Sequence, residues 1–180
     1  MAKQSFLKGA LILLLASLLV KVLGFVYQIL IIRLISPEGI GIFNMVFPLY
    51  LTVLVLTTMG FPPAIPKLTA EEIAAGKFGH VEIILGTAAS LLFFFSAALS
   101  FLFILSAPFV ITKLYTDPRV LPVLLFLLPT IVLVALSSAI KGFFQGLHDM
   151  RPTAFTQLIE QLVRIGTGLL LVTFLRPFGL

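Results

Sequence analysis

Between Glu82 and Lys113 the chain reads IILGTAASLLFFFSAALSFLFILSAPFVIT, from Ile83 to Thr112, without a single charged residue. A helix crosses the hydrocarbon core of a bilayer with about 20 largely apolar residues, and this run is longer than that. A strand of an outer-membrane barrel would be about 10 residues long and would alternate apolar with polar. The run does neither, so it predicts a transmembrane helix. Four further stretches have the same character, and the five candidates are 8–34, 42–65, 81–111, 120–140 and 153–175. The second is charge-free from Gly39 to Pro66 and the fourth from Val120 to Ile140.

The whole composition agrees with these runs. Of the 180 residues, 60% are hydrophobic and 11% charged, where a soluble domain runs about 45–50% and about 25%; mean hydropathy is +1.21. These values exclude a soluble enzyme, a disordered tail and a nucleic-acid-binding domain. The net charge of +5 is carried by scattered Lys and Arg rather than a patch, so it reads as a topology signal and an affinity for anionic lipid, not for nucleic acid. Cysteine is absent, which removes disulfides, thiolate nucleophiles and Cys-based metal sites. The expected fold class is an all-α integral membrane protein of five transmembrane helices, forming a single domain over 1–180. No internal repeat or dividing linker is visible.

Lys3 and Lys8 precede an apolar stretch, as in a signal peptide, but the stretch runs past residue 30 with no A-x-A-like cleavage site. It is expected to remain as a helix. With the N-terminus inside, Lys3, Lys8, Lys67, Lys77, Lys141 and Arg151 face the cytoplasm, and Arg33, Lys113, Arg119 and Arg176 face outward. That asymmetry favours a cytoplasmic N-terminus in the cell membrane. Ser36-Pro37-Glu38-Gly39, Thr116-Asp117-Pro118 and His148-Asp149-Met150-Arg151-Pro152 read as turns. Pro62, Pro63 and Pro66 are expected to close the second helix, and Thr69–His80 to form a short interfacial helix.

The informative residues of a membrane protein are those that are costly to insert. A charge at mid-bilayer costs about 2.5–3.5 kcal/mol on the insertion scale and normally faces a bundle interior or a watery cavity. Lys21 lies about 13 residues into the first helix, near 18–20 Å along it. Ser17, Lys21, Gly24 and Gln28 share its face at i, i+4, i+7 and i+11. On the fifth predicted helix Gln157, Glu160, Gln161, Arg164 and Gly168 form another stripe, with Glu160 and Arg164 at ion-pair spacing. Two readings stay open for both stripes: the wall of a hydrated cavity, which is the expectation, or a polar seam that packs helices. Asn44, Pro48 and Thr52 line a face of the second helix, and Pro122 and Pro129 interrupt the fourth. Gly86-x-x-x-Ser90 and Ser96-x-x-x-Ser100 predict close helix packing. His80 and His148 are isolated, and no hydrolase, phosphate-loop or metal-binding motif is present. Neither an enzyme nor a cofactor is expected.

Two groups of stretches carry a resemblance. The first is Lys21-Val-Leu-Gly-Phe-Val-Tyr-Gln28 with Arg33-Leu-Ile-Ser-Pro-Glu-Gly-Ile-Gly41. The second is Lys141-Gly-Phe-Phe-Gln-Gly146 with Met150-Arg-Pro-Thr-Ala154 and Gln157-Leu-Ile-Glu-Gln-Leu-Val-Arg164. Together they resemble the stage V sporulation protein B branch of the polysaccharide-biosynthesis transporters. These belong to the multidrug/oligosaccharidyl-lipid/polysaccharide exporter superfamily, which includes the lipid II flippases. The resemblance implies a two-lobed transporter of about 14 helices that moves lipid-linked sugars by alternating access. It also implies that this chain corresponds to the N-terminal part of one lobe, with the remaining part or another chain as partner. Lys21 matches a basic position before Val-Leu-Gly-Phe. A second basic position falls at Tyr27 or Gln28, and one on the second helix falls near Thr52 and Val53, so both are missing. The substrate expected is therefore a polyprenyl-pyrophosphate-linked sugar in general rather than lipid II specifically. Its candidate binding residues are Lys21, Gln28, Gln157, Glu160, Gln161 and Arg164. Two alternatives are a multidrug-type exporter, which should have a more acidic cavity, and a non-transporting scaffold of an envelope-synthesis complex.

Overall fold

The computed structural model describes residues 6–35 and 37–175, and the described chain folds as helices joined by short turns. Lys3, Ser36 and Arg176, which enter the charge and turn readings above, lie outside the described residues. In chain order the helices are α1 (Phe6–Leu34), α2 (Pro37–Thr58), α3 (Phe61–Ala74), α4 (Phe78–Leu114), α5 (Val120–Leu127), α6 (Thr130–Gly146) and α7 (Arg151–Leu175). Five apolar stretches are long enough to cross a membrane: Lys8–Leu34, Pro37–Ala74, Phe78–Leu114, Val120–Gly146 and Arg151–Phe174. Large apolar side chains face outward on them, Phe126 at 82% exposure and Phe94 at 70%, as lipid requires and water would penalise. The chain is a multi-pass membrane protein.

Two predicted spans are each a pair of helices. The second is divided at Met59-Gly60, where Gly60 takes a left-handed φ of 86°. Pro62 and Pro63 thus open α3 instead of closing α2. The first residues of a helix have no intrahelical use for their N–H groups, so proline costs nothing there. The expected interfacial helix over Thr69–His80 is also corrected. Helix α3 runs to Ala74, Gly76 turns the chain at φ 72°, and His80 is already in the first turn of α4. Glycine supplies that left-handed geometry without a Cβ clash. The fourth span breaks at Leu128-Pro129 and then continues to Gly146, past the predicted limit at 140.

Other turns follow local chemistry as expected. The Asp117 carboxylate accepts a hydrogen bond from the Arg119 N–H at 2.8 Å, and Asp149 does the same for the Arg151 N–H at 3.1 Å. Such Asx contacts satisfy backbone donors just where a helix starts.

The helices fall into two compact units, one from the described parts of Met1–Ile40 and His148–Leu180, the other Gly41–Leu147. In the second unit α4 packs against α3, α5 and α6, and α3 against α6. One apolar core joins Val46 and Val53 of α2 to Ala107 and Ile111 of α4, Val120, Leu124 of α5, and Leu128 and Ile131 at the break. A second core joins Ile65 of α3, Ala88 and Leu92 of α4, and Ala135 and Ala139 of α6. Small residues set the closest approach. A Cβ on Gly142 would stand 3.2 Å from Ile65 Cβ, and one on Gly146 would stand 2.8 Å from the Pro66 carbonyl oxygen. Increasing numbers meet increasing numbers, so α3 and α6 run parallel, as parts of the second and fourth spans should.

The small-residue readings on α4 divide. Ser96 and Ser100 are buried, and the Ser100 hydroxyl donates to the Leu128 carbonyl at 2.6 Å. The Gly86/Ser90 pair instead faces open space: nothing lies within 4 Å of a Cβ on Gly86, and the Ser90 hydroxyl turns back to the Gly86 carbonyl at 2.7 Å. It makes no close packing within its unit.

Candidate functional site

All six candidate residues belong to the first unit, on α1 and α7. Both helices are rich in Leu, Ile and Val, interrupted at helical spacing by small and amide residues. Those interruptions are where the helices touch. The Ser17 hydroxyl donates to Gln157 Oε1 at 3.5 Å, at the long limit of such a bond. Gln161 lies over Gly24, its Nε2 3.5 Å from the place a Gly24 Cβ would occupy. The Tyr27 ring is pressed onto Gly168: a Cβ there would be 2.9 Å from Tyr27 Cζ and would overlap the hydroxyl. Ala16, Thr153, Ala154 and Val172 are buried along the same helices.

The contacts 17 with 157, 24 with 161 and 27 with 168 advance together, so α1 and α7 are parallel. First and fifth members of an alternating series of spans must be. Without glycine at 168 the Tyr27 ring would have no place, whereas a Cβ at 24 would make only ordinary contact with Gln161; close approach through small residues is usual between membrane helices.

Sequence spacing and this contact line fix where the charged residues stand. At about 100° per residue, Lys21 and Gln28 are displaced from the Ser17–Gly24 line in one rotational sense. Glu160 and Arg164 are displaced from the Gln157–Gln161 line in the opposite sense. For two parallel helices facing each other, opposite senses lead to the same flank. Lys21, Gln28, Glu160 and Arg164 therefore stand along one edge of the α1–α7 pair, and each is exposed. The residues expected as one set thus occupy two places: Gln157 and Gln161 are in the helix contact, the other four along its edge.

Two buried polar atoms of this unit have no hydrogen-bond partner among the described residues, Gln161 Nε2 and Thr153 Oγ1. Gln161 is only 4% exposed. No group of three or more His, Cys, Asp or Glu that could hold a metal is present among the described residues.

The family model of the polysaccharide biosynthesis protein matches residues 6–178. The chain belongs to that family. Stage V sporulation protein B of Bacillus subtilis (strain 168) is 38% identical over 180 residues, covering 100% of this chain and 35% of the relative. Lipid II flippase MurJ of the same organism is 31% identical, covering 96% of this chain and 33% of its own length. The chain therefore spans about a third of the length of these curated relatives. No solved structure matches.

The polysaccharide biosynthesis family match runs from α1 through α7 and includes both stripes. Two packing features escaped the sequence reading. The Gly142-x-x-x-Gly146 pair of α6 is legible as small residues four apart, inside the stretch Lys141–Gly146 that carries the resemblance. The Tyr27–Gly168 contact carries no local signal, because its partners are far apart in sequence.

Proposed function

We propose that this chain forms part of a transporter, and not an enzyme, that moves lipid-linked sugar or polysaccharide precursors of the cell-wall or spore-cortex type across the cytoplasmic membrane. The observation that carries the reading is the basic and amide edge of the α1–α7 pair. Lys21 and Arg164 are costly to keep in hydrocarbon, and their common flank provides a cationic strip for the pyrophosphate of a polyprenyl-linked sugar. Diphosphate oxygens gain strongly from charge-assisted hydrogen bonds in a medium of low dielectric. In this reading Glu160 holds the strip near neutrality while it is empty and competes with the substrate. Gln28 supplies a neutral hydrogen bond to the sugar. Alternating access follows from rocking of helix groups about the site. Kinship with a protein named as a lipid II flippase supports the class of substrate.

The test is flipping of a lipid-linked sugar by the intact protein with Lys21→Ala or Arg164→Ala. Each is expected to lower the rate at least about tenfold, since a hydrogen bond to a charged group is worth about 1.5–3 kcal/mol. Normal flipping by both variants would refute the assignment. The Ser17–Gln157 contact favours one second reading, a non-transporting scaffold in which the polar stripes only join helices. Thiol labelling separates the two, because cysteines placed at 21 and 164 react with a water-soluble reagent only if a hydrated cavity reaches them. The chain has no cysteine of its own to interfere.

A further inference from the structure

Asn44 stands on the side of α2 that faces away from the apolar core. Val46 and Val53 of the same helix are buried in that core, whereas Asn44, Phe47, Pro48 and Leu51, at helical spacing on the opposite side, are exposed. Pro48 has no N–H, so the Asn44 carbonyl loses the donor that an ordinary helical residue would supply. Neighbouring carbonyls are served by hydroxyls: Tyr115 donates to Met45 at 2.7 Å, and Thr52 to Pro48 at 2.9 Å. The Asn44 amide has no hydrogen-bond partner among the described residues. One exposed point of a charge-free span thus carries a freed backbone acceptor and a side chain that both donates and accepts. Beside it the exposed rings of Phe43 and Phe47 lie 5.5 Å apart, inclined at 30°. Nothing lies within 4 Å of a Cβ on Gly41, one turn earlier, so the space next to Asn44 is open.

An amide and a carbonyl left unpaired in hydrocarbon are costly, so this point suits a polar occupant. A diphosphate only accepts, and would use the amide N–H groups alone. A sugar hydroxyl donates and accepts, so it serves the amide nitrogen, the amide oxygen and the freed carbonyl alike. The C–H face of a sugar ring also matches the electron-rich face of an aromatic ring such as Phe47. We propose that Asn44 binds the sugar of the substrate, with its own carbonyl, freed by Pro48, as a second acceptor and the Phe43–Phe47 rings as a platform. The inference rests on the transport reading above and adds to it a sugar contact on α2. It also gives a use to a proline inside a continuous helix, which exposes a carbonyl where a hydroxyl can reach it.

The test is binding of two probes to the intact protein in phosphatidylcholine nanodiscs: N-acetylglucosamine linked to farnesyl diphosphate, and farnesyl diphosphate alone. The wild-type protein is expected to bind the sugar-linked probe more tightly. Asn44→Leu should lower affinity for that probe about three- to tenfold, the loss of one or two neutral hydrogen bonds, and leave farnesyl diphosphate binding unchanged. Pro48→Ala returns an N–H to the Asn44 carbonyl and should cost about threefold, again for the sugar-linked probe only. Equal wild-type affinity for the two probes overturns the sugar contact, as does wild-type affinity of Asn44→Leu for the sugar-linked one. An equal loss for both probes together with a lowered unfolding temperature also overturns it, because Asn44 then joins helices. If Asn44→Leu fails to fold, Pro48→Ala decides, and unchanged affinity there refutes the contact. In each of these events Lys21→Ala and Arg164→Ala variants that weaken farnesyl diphosphate binding leave the transport reading standing. A wild-type protein that binds neither probe overturns both.

Discussion

A methyl group added at Gly168 would collide with the Tyr27 ring, whereas one added at Gly86 would meet nothing within 4 Å. These two glycines occupy similar apolar sequence and differ only in what the fold brings to them. Gly168→Ala is expected to destabilise the α1–α7 pair by about 1–3 kcal/mol, the range for overpacking a close contact. Tyr27→Ala in the same chain should relieve most of that loss. Gly86→Ala should be neutral or slightly favourable, because alanine is the better helix former. Unfolding temperature in detergent ranks the three variants. Equal values for Gly168→Ala and Gly86→Ala would contradict the contact.

At the scale of elements, the fourth span shows how a helix break is tolerated in a place without water. Pro129 has no N–H, so the carbonyl four residues before it loses its donor. Nearby polar side chains gather at the break. The Thr130 hydroxyl donates to the Leu127 carbonyl at 2.6 Å and lies 3.3 Å from the Tyr50 hydroxyl, while Ser100 reaches across from α4 to the Leu128 carbonyl. Thr130 thereby serves a carbonyl at the break, as Ser/Thr side chains do in membranes, while the Leu128 carbonyl also accepts the Ile131 N–H at 3.1 Å, so Ser100 adds an interhelical bond to it. Ser100→Ala is therefore expected to cost about 0.6 kcal/mol, the average for such interhelical bonds, and Pro129→Ala to lengthen α5 into α6. Chemical denaturation measures the first. Amide exchange at residues 125–132 checks the second, with slower exchange expected in the Pro129→Ala variant. Proline in the sequence announced an irregularity here, but not whether the helix would bend, break or end. In α2, Pro48 lies inside a continuous helix, whereas Pro62 and Pro63 begin a new one. The difference lies in Gly60, whose left-handed turn precedes the latter pair.

For the molecule as a whole, the parallel contacts within each unit agree with five spans of alternating direction. A cytoplasmic N-terminus then places Glu71 and Lys77 inside, and Thr116 and Asp117 outside. A membrane-impermeant thiol reagent applied to intact cells should label Thr116→Cys and leave Glu71→Cys unlabelled until the cells are opened. The reverse pattern would invert the proposed orientation and the side from which the α1–α7 edge first meets its substrate.

The five apolar runs were legible because lipid imposes one simple demand: about 20 residues without free charge, with every backbone group paired inside the helix. The polar stripes were equally legible, since Lys21 and Gln161 stand out against Leu and Val, and helical periodicity alone put their neighbours on shared faces. Class, span number and the candidate residues thus came from local composition and spacing. Which of those residues touch did not. Only the tertiary structure paired Ser17 with Gln157 and seated Gln161 over Gly24, leaving Lys21, Gln28, Glu160 and Arg164 on one edge. Packing between helices depends on the shapes of residues far apart in the chain, and a glycine gains its meaning from the side chain that fills the space beside it.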